Sequence, residues 1–90
     1  MLKLRILYID DNPLALELFS QMAPAKLDAI VDTAHSACEA LDLAYRKLYD
    51  FILCDAKLPY HHSPLGGILL AEELARRFGR DSVLLISRYL

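Results

Sequence analysis

The longest charge-free stretches of this 90-residue sequence are broken by Pro, His or paired Gly, so none of them reads as a membrane span. The opening Met1-Leu2-Lys3-Leu4-Arg5 puts charges inside its apolar run and soon reaches two Asp, which excludes a signal peptide. No excess of one charge exists either. The net charge is -2 with both signs mixed along the chain, which leaves no electrostatic footprint for nucleic acid. Cysteine is scarce. Cys38 and Cys54 lack any metal or redox spacing and fall in an expected helix and strand, so both read as reduced core residues of a cytoplasmic protein. Repeats, low-complexity tracts and linkers are absent, so one small domain is expected. What the chain has is apolar side chains. They make up 56% of it, 19 of them Leu, which is enough for a core and excludes disorder.

Strand and helix signals alternate. Residues 4–9 (Leu-Arg-Ile-Leu-Tyr-Ile) are apolar and β-prone, and end abruptly in Asp10-Asp11. Asn12 as N-cap and Pro13 at the first helical position open a helix expected to run to about Ala23, where Pro24 closes it. Residues 29–33 form a short second strand. Ser36 and Glu39 make a capping box, after which Leu41, Tyr45 and Leu48 recur at helical spacing. Residues 51–54 (Phe-Ile-Leu-Cys) are the continuous apolar run of a strand buried on both faces, ending at Asp55. A loop with two Pro and Gly66-Gly67 leads to a helix over roughly 68–78, stopped by Gly79. Residues 83–86 (Val-Leu-Leu-Ile) are a fourth strand of buried type, ending at Ser87. The order β-α-β-α-β-α-β with such strands predicts an α/β fold: a doubly wound parallel sheet with right-handed crossovers.

In a parallel sheet the strand ends line one edge, and ligands bind there beside the switch point in strand order. Three strands here end in polar groups: Asp10-Asp11, Asp55 and Ser87. Each has an ordinary explanation alone. Asp10-Asp11 before Asn-Pro serves as helix capping, Asp55 as a turn residue, and Ser87 carries almost no signal. Their joint placement is what matters. If the first, third and fourth strands are neighbours, three carboxylates and a hydroxyl converge on one shallow pocket. Acids that close repel one another unless a cation compensates, and a hard, oxygen-liking ion such as Mg²⁺ suits them. Such a site supports attack by a carboxylate on a phosphoryl group, with the metal neutralising the developing charge.

Tyr8-Ile9-Asp10-Asp11-Asn12-Pro13 resembles the first-strand acidic pair of response-regulator receiver domains. Asp55-Ala56-Lys57-Leu58-Pro59 resembles their phosphoacceptor signature, an Asp followed four residues later by Pro. The separation of Asp11 from Asp55, Gly67 opening the third helix and Ser87 ending the fourth strand fit the same family. The resemblance implies a flavodoxin-like fold, here with strand order 2-1-3-4, and a signalling phosphoacceptor, not a turnover enzyme. It implies that Asp55 receives the phosphoryl group from a histidine kinase phosphohistidine. It implies Mg²⁺ held by Asp11 directly, by Asp10 largely through water, by Asp55 and by the backbone carbonyl of Lys57. Ser87 then bonds the phosphoryl oxygen.

The sequence also departs from the family pattern. The fifth strand with its active-site Lys and the fourth and fifth helices are absent, so the chain is expected to be a receiver lacking its last helix-strand-helix portion. Arg88 stands where a small residue is expected, and the loop from Pro59 to Gly67 is long. His61-His62 in that loop reads as solvated, not ligating. Without the Lys, phosphorylation of the isolated chain is expected to be weak or absent, and a phosphorylation-incompetent interaction module is the competing reading. A haloacid-dehalogenase-like phosphatase fits poorly, because it needs a second Asp two residues after its first-strand nucleophile, and position 12 is Asn. A homodimer is expected, through the fourth strand or the sheet face beside the first helix, where Leu14, Leu16, Leu18, Phe19 and Met22 lie.

Overall fold

A computed structural model describes residues 3–63 and 65–86. Its elements are β1 (Leu4–Ile9), α1 (Pro13–Leu27), β2 (Ala29–Ala34), α2 (Ala37–Arg46), β3 (Phe51–Asp55), α3 (Gly66–Phe78), a 3-10 turn (Arg80–Ser82) and β4 (Val83–Ile86). The four strands form one parallel sheet, as the alternation of elements predicts, in the order β2-β1-β3-β4 that the family resemblance implies. The switch in strand order falls between β1 and β3, whose C-terminal ends lie side by side with Ile9 opposite Cys54.

Strand alternation divides the side chains of β1 between two layers. Leu7 and Ile9, fully buried, face α2 and α3 in a core shared with Ile52, Cys54, Leu58, Leu70 and Leu74. Each such side chain stabilises the fold by roughly 1.5–3 kcal/mol relative to exposure. Tyr8 faces the other layer, where its ring meets Phe19 of α1 at 4.5 Å between centroids.

The helix caps act as the sequence implies, with one variation. Asn12 Oδ1 accepts from the Leu14 N–H at 2.9 Å, and Pro13 takes the first helical position. Ser36 Oγ accepts from the Glu39 N–H at 3.1 Å, but Glu39 Oε1 reaches past the cap to the His35 N–H at 3.0 Å.

Four expectations need correction. Pro24 does not close α1, which continues to Leu27. Proline forfeits a single bond to the carbonyl four residues back, its φ suits the helix, and Ala25-Lys26-Leu27 carry the turn on. The helix stops at Asp28, whose φ of 49° is left-handed and whose N–H bonds the Pro24 carbonyl. In α2 the buried stripe is Ala37, Ala40 and Ala44, while Tyr45 and Leu48 lie in water. Alanine at that spacing allows close approach to the sheet, which the larger residues do not. Cys38 is exposed and not a core residue; only Cys54 is buried. Finally, β4 is not a buried-type strand among the described residues, because Leu84 and Leu85 are about half exposed at the sheet edge.

Candidate functional site

The parallel sheet delivers Asp10 and Asp11 from the end of β1 to the side of Asp55, the last residue of β3. Carboxylate oxygens of all three lie within 4.8 Å of one another. Asp10 and Asp55 are nearly dry, at 1% and 3% exposure, while Asp11 faces water. The cluster therefore has a buried floor of two acids and one acid at the rim.

Each buried acid is fixed from its own strand end. The Asn12 N–H donates to Asp10 Oδ1 at 3.0 Å, and the Tyr8 hydroxyl donates to Asp10 Oδ2 at 2.8 Å. The Lys57 N–H donates to Asp55 Oδ1 at 3.2 Å, and the Leu58 N–H to the Asp55 carbonyl at 3.1 Å. Neighbouring strands pin the backbone as well. The Asp10 N–H bonds the Ala34 carbonyl and the Ala56 N–H bonds the Ile86 carbonyl, at 3.1 and 2.9 Å. Asn12 thus has two tasks: its side chain caps α1 while its backbone orients Asp10.

Cys54, directly before Asp55, is buried under the acidic cluster. Burial pushes its thiol up to about 12, and the charges of Asp55 and Asp10 add to that. Its Sγ contacts the Asp55 and Gly67 carbonyl oxygens at 3.7 and 3.6 Å. Gly67 is required by close approach. A Cβ there would run into the Asp55 carbonyl oxygen and the Ala56 backbone. The N-terminus of α3 therefore packs directly under the end of β3.

Of the site residues expected from sequence, the structure brings together Asp10, Asp11 and Asp55, and sets Lys57 in the exposed turn after β3 with its N–H on Asp55. Ser87 and Arg88 lie outside the described residues. His61 and His62 are exposed, both with left-handed φ (53° and 61°). Among the described residues only the three Asp form a grouping able to hold a metal. The long loop is held instead by the Tyr60 hydroxyl, which donates to Glu73 Oε2 of α3 at 2.9 Å. Sequence reasoning missed Tyr8, although a Tyr two residues before an Asp on a strand must share its face. The donor set is oxygen only, anionic and partly open, and it fits a hard divalent cation such as Mg²⁺.

The response regulator receiver domain model matches residues 6–89. No curated protein matches the chain significantly. Among solved structures, a CheY-like response regulator receiver domain protein from Methanospirillum hungatei superposes with a TM-score of 0.84 at 26% identity, covering 100% of this chain and 67% of its own. The response regulator TrrA from Thermotoga maritima, solved in complex with Mg²⁺-BeF, gives 0.80 at 28% identity, with 98% of this chain and 71% of that one covered. A Burkholderia pseudomallei response regulator with a phosphorylated aspartic acid, a calcium ion and citrate gives 0.80 at 25% identity, over 98% of this chain and 49% of that one.

Proposed function

The chain belongs to the response-regulator receiver family, and on that footing we propose that Asp55 is a phosphoacceptor in two-component signalling, charged by a histidine kinase. Receiver domains are signalling domains and not classical turnover enzymes. The observation that carries the proposal is the convergence of Asp10, Asp11 and Asp55 within 4.8 Å at the switch point of the sheet. The metal and phosphoaspartate in the Thermotoga and Burkholderia relatives support extending the same chemistry to this chain.

On this reading Asp11, Asp55 and the backbone carbonyl of Lys57 would hold Mg²⁺, and Asp10 would support it less directly. When bound, it offsets negative charge on the transferring phosphoryl group. The chain's own residues do the rest. An Asp55 carboxylate oxygen attacks phosphorus and an acyl phosphate bond forms, while the phosphorus–nitrogen bond of the phosphohistidine breaks, its electron pair staying on the imidazole nitrogen, which takes up a proton from water. Asp10 and Asp55 are held by backbone N–H groups before the donor arrives, so little reorganisation is needed. Ser87 is assigned the hydrogen bond to the phosphoryl oxygen. No helix among the described residues is long and apolar enough to cross a membrane, and a cytoplasmic location is proposed.

The test is incubation with a small acyl phosphate donor and Mg²⁺, read by intact mass. Slow, partial addition that needs Mg²⁺ and is lost in Asp55→Asn is expected. Absence of addition in the wild type overturns the phosphoacceptor assignment. One observation favours a second reading, an interaction module that receives no phosphate. Leu14, Leu18 and Met22 of α1 and Leu84 and Leu85 of β4 are about half exposed or more, giving two apolar surfaces. A second copy of the chain is the partner proposed for them.

A further inference from the structure

The Tyr8 hydroxyl donates to the acidic cluster from within β1 itself. Tyr8 is 8% exposed, and its ring is clamped against Phe19 at 4.5 Å. That packing aims the hydroxyl along the strand at Asp10 Oδ2, 2.8 Å away. The other Asp10 oxygen is held independently by the Asn12 N–H at 3.0 Å.

The geometry points to Tyr8 as a positioning residue that tunes cation affinity, its hydroxyl solvating Asp10 when the metal is absent and thereby weakening the hold on Mg²⁺. The inference rests on the reading of the three acids as a Mg²⁺ site. A hydroxyl proton and a cation compete for the same negative charge on one carboxylate, so each lowers the worth of the other. In the metal-free protein the hydrogen bond is at its strongest, because Asp10 is buried beside two other carboxylates. With the cation in place the same bond is worth less. By linkage, whatever stabilises the metal-free state more than the loaded one reduces binding. Two effects of removing the hydroxyl oppose each other. Loss of orientation loosens Asp10, and release of charge strengthens the pull on the cation. Because Asn12 and burial still fix Asp10, the charge effect prevails.

Tyr8→Phe keeps the ring and its contact with Phe19 and removes only the donor. Calorimetric titration with MgCl₂ on the purified chain is expected to show roughly three- to tenfold tighter binding in Tyr8→Phe than in wild type. The metal-free variant should melt at a lower temperature and gain more from Mg²⁺ than wild type does. The wild type should also show a tyrosine near-ultraviolet difference spectrum on adding Mg²⁺, which is lost in Tyr8→Phe. A purely structural hydroxyl would lower the melting temperature equally with and without Mg²⁺ and leave affinity unchanged, and that result overturns the inference. Weaker binding in Tyr8→Phe overturns it too, since orientation would then outweigh charge. Absence of Mg²⁺ binding in the wild type removes the site reading and the inference together. Wild-type binding that Asp11→Asn abolishes, with equal affinity in Tyr8→Phe, removes the inference alone.

Discussion

Gly67 lies so close to the Asp55 carbonyl that the first turn of α3 and the end of β3 leave no room for a Cβ between them. The contact sets the depth at which Asp55 sits, because the same segment carries the Lys57 and Leu58 N–H groups bonded to Asp55. Gly67→Ala is expected to push α3 away from the strand end. The cost should be about 1–3 kcal/mol, as for other overpacked sites, read from the urea midpoint. Mg²⁺ affinity should fall with it, because the carboxylate moves along with the backbone. Full stability in Gly67→Ala would mean that α3 has slack against the sheet.

Asp55→Asn should act in opposite directions on the metal-free and Mg²⁺-loaded protein. Three carboxylates with oxygens within 4.8 Å repel one another, and two of them are buried. Removing one charge while keeping an acceptor for the Lys57 N–H should stabilise the metal-free fold by about 1 kcal/mol. The gain in melting temperature that Mg²⁺ gives the wild type should then shrink or vanish. Thermal melts with and without Mg²⁺ check both signs, and an equal gain from Mg²⁺ in both proteins would place the ion elsewhere.

Most of the architecture was legible in the sequence because its signals are local. Asn12-Pro13, the Ser36–Glu39 box and three acids or hydroxyls following apolar runs each announce an element boundary through backbone chemistry alone. Convergence of Asp10, Asp11 and Asp55 followed only with β1 and β3 as neighbours in the parallel sheet, an order that the family resemblance implied and the alternation of elements does not fix. What misled was side-chain size. Tyr45 carries more apolar surface than Ala40 and Ala44, yet the alanines are buried, since closeness to the sheet decides which helical stripe faces inward, and Leu48 lies past the helix end at Arg46. Pro24 misled for a different reason, because one forfeited bond near a helix end is cheap when the next three residues favour helix. Tyr8 was missed as a donor because spacing puts it on the face of Asp10 without aiming its hydroxyl, which takes the packing of its ring against Phe19 of α1.

A second polar group, away from the acids, ties β2 to the segment before β3. Asp32 Oδ2 accepts from the Tyr49 hydroxyl at 2.7 Å and from Lys47 Nζ at 3.2 Å. Burial alone would raise the Asp32 carboxyl, but those two bonds and the charges of Lys47 and Arg5 outweigh it and hold it below the ordinary value of 3.8. A carboxyl lowered in the folded state stabilises above its unfolded pKa and stops doing so as pH falls through its folded one. Burial, with the Asp32 bond and charge, pushes the Tyr49 phenol above its ordinary 10.0. Its contribution is complete below that value and is lost as pH climbs above it. Stability measured against pH should therefore decline on both sides, below about pH 4 and above about pH 10. Tyr49→Phe should flatten the alkaline limb and leave most of the acid limb in place. An unchanged alkaline limb would assign it to other tyrosines.

β4 is the sheet's outer strand among the described residues, and it has the composition of an edge that proteins normally protect. Val83-Leu84-Leu85-Ile86 contains no charge and no Pro, and Leu84 and Leu85 are 50% and 48% exposed. Strand alternation turns Leu85 toward the α3 layer and Leu84 toward the layer of Tyr8 and α1. In that second layer Leu14, Leu18 and Met22 of α1 are exposed at 60%, 48% and 50%, beside a groove of about 470 Å³ whose lining includes Tyr8, Phe19 and Lys26. Half-burying five such side chains is worth roughly 4–8 kcal/mol in water, comparable to the whole stability of a small domain. The 90-residue chain is therefore expected to self-associate, most simply as a two-fold dimer in which one surface meets its own copy. Light scattering after size exclusion at micromolar concentration gives the state. Two variants then separate the surfaces: Leu85→Lys dissociates a dimer formed through β4, and Leu18→Lys one formed through α1. Each lysine lands on a side chain that is already half in water, so the fold should survive either change, as far-ultraviolet circular dichroism would report. A monomeric wild type at that concentration would mean that neither surface drives assembly, and the receiver would then act one copy at a time.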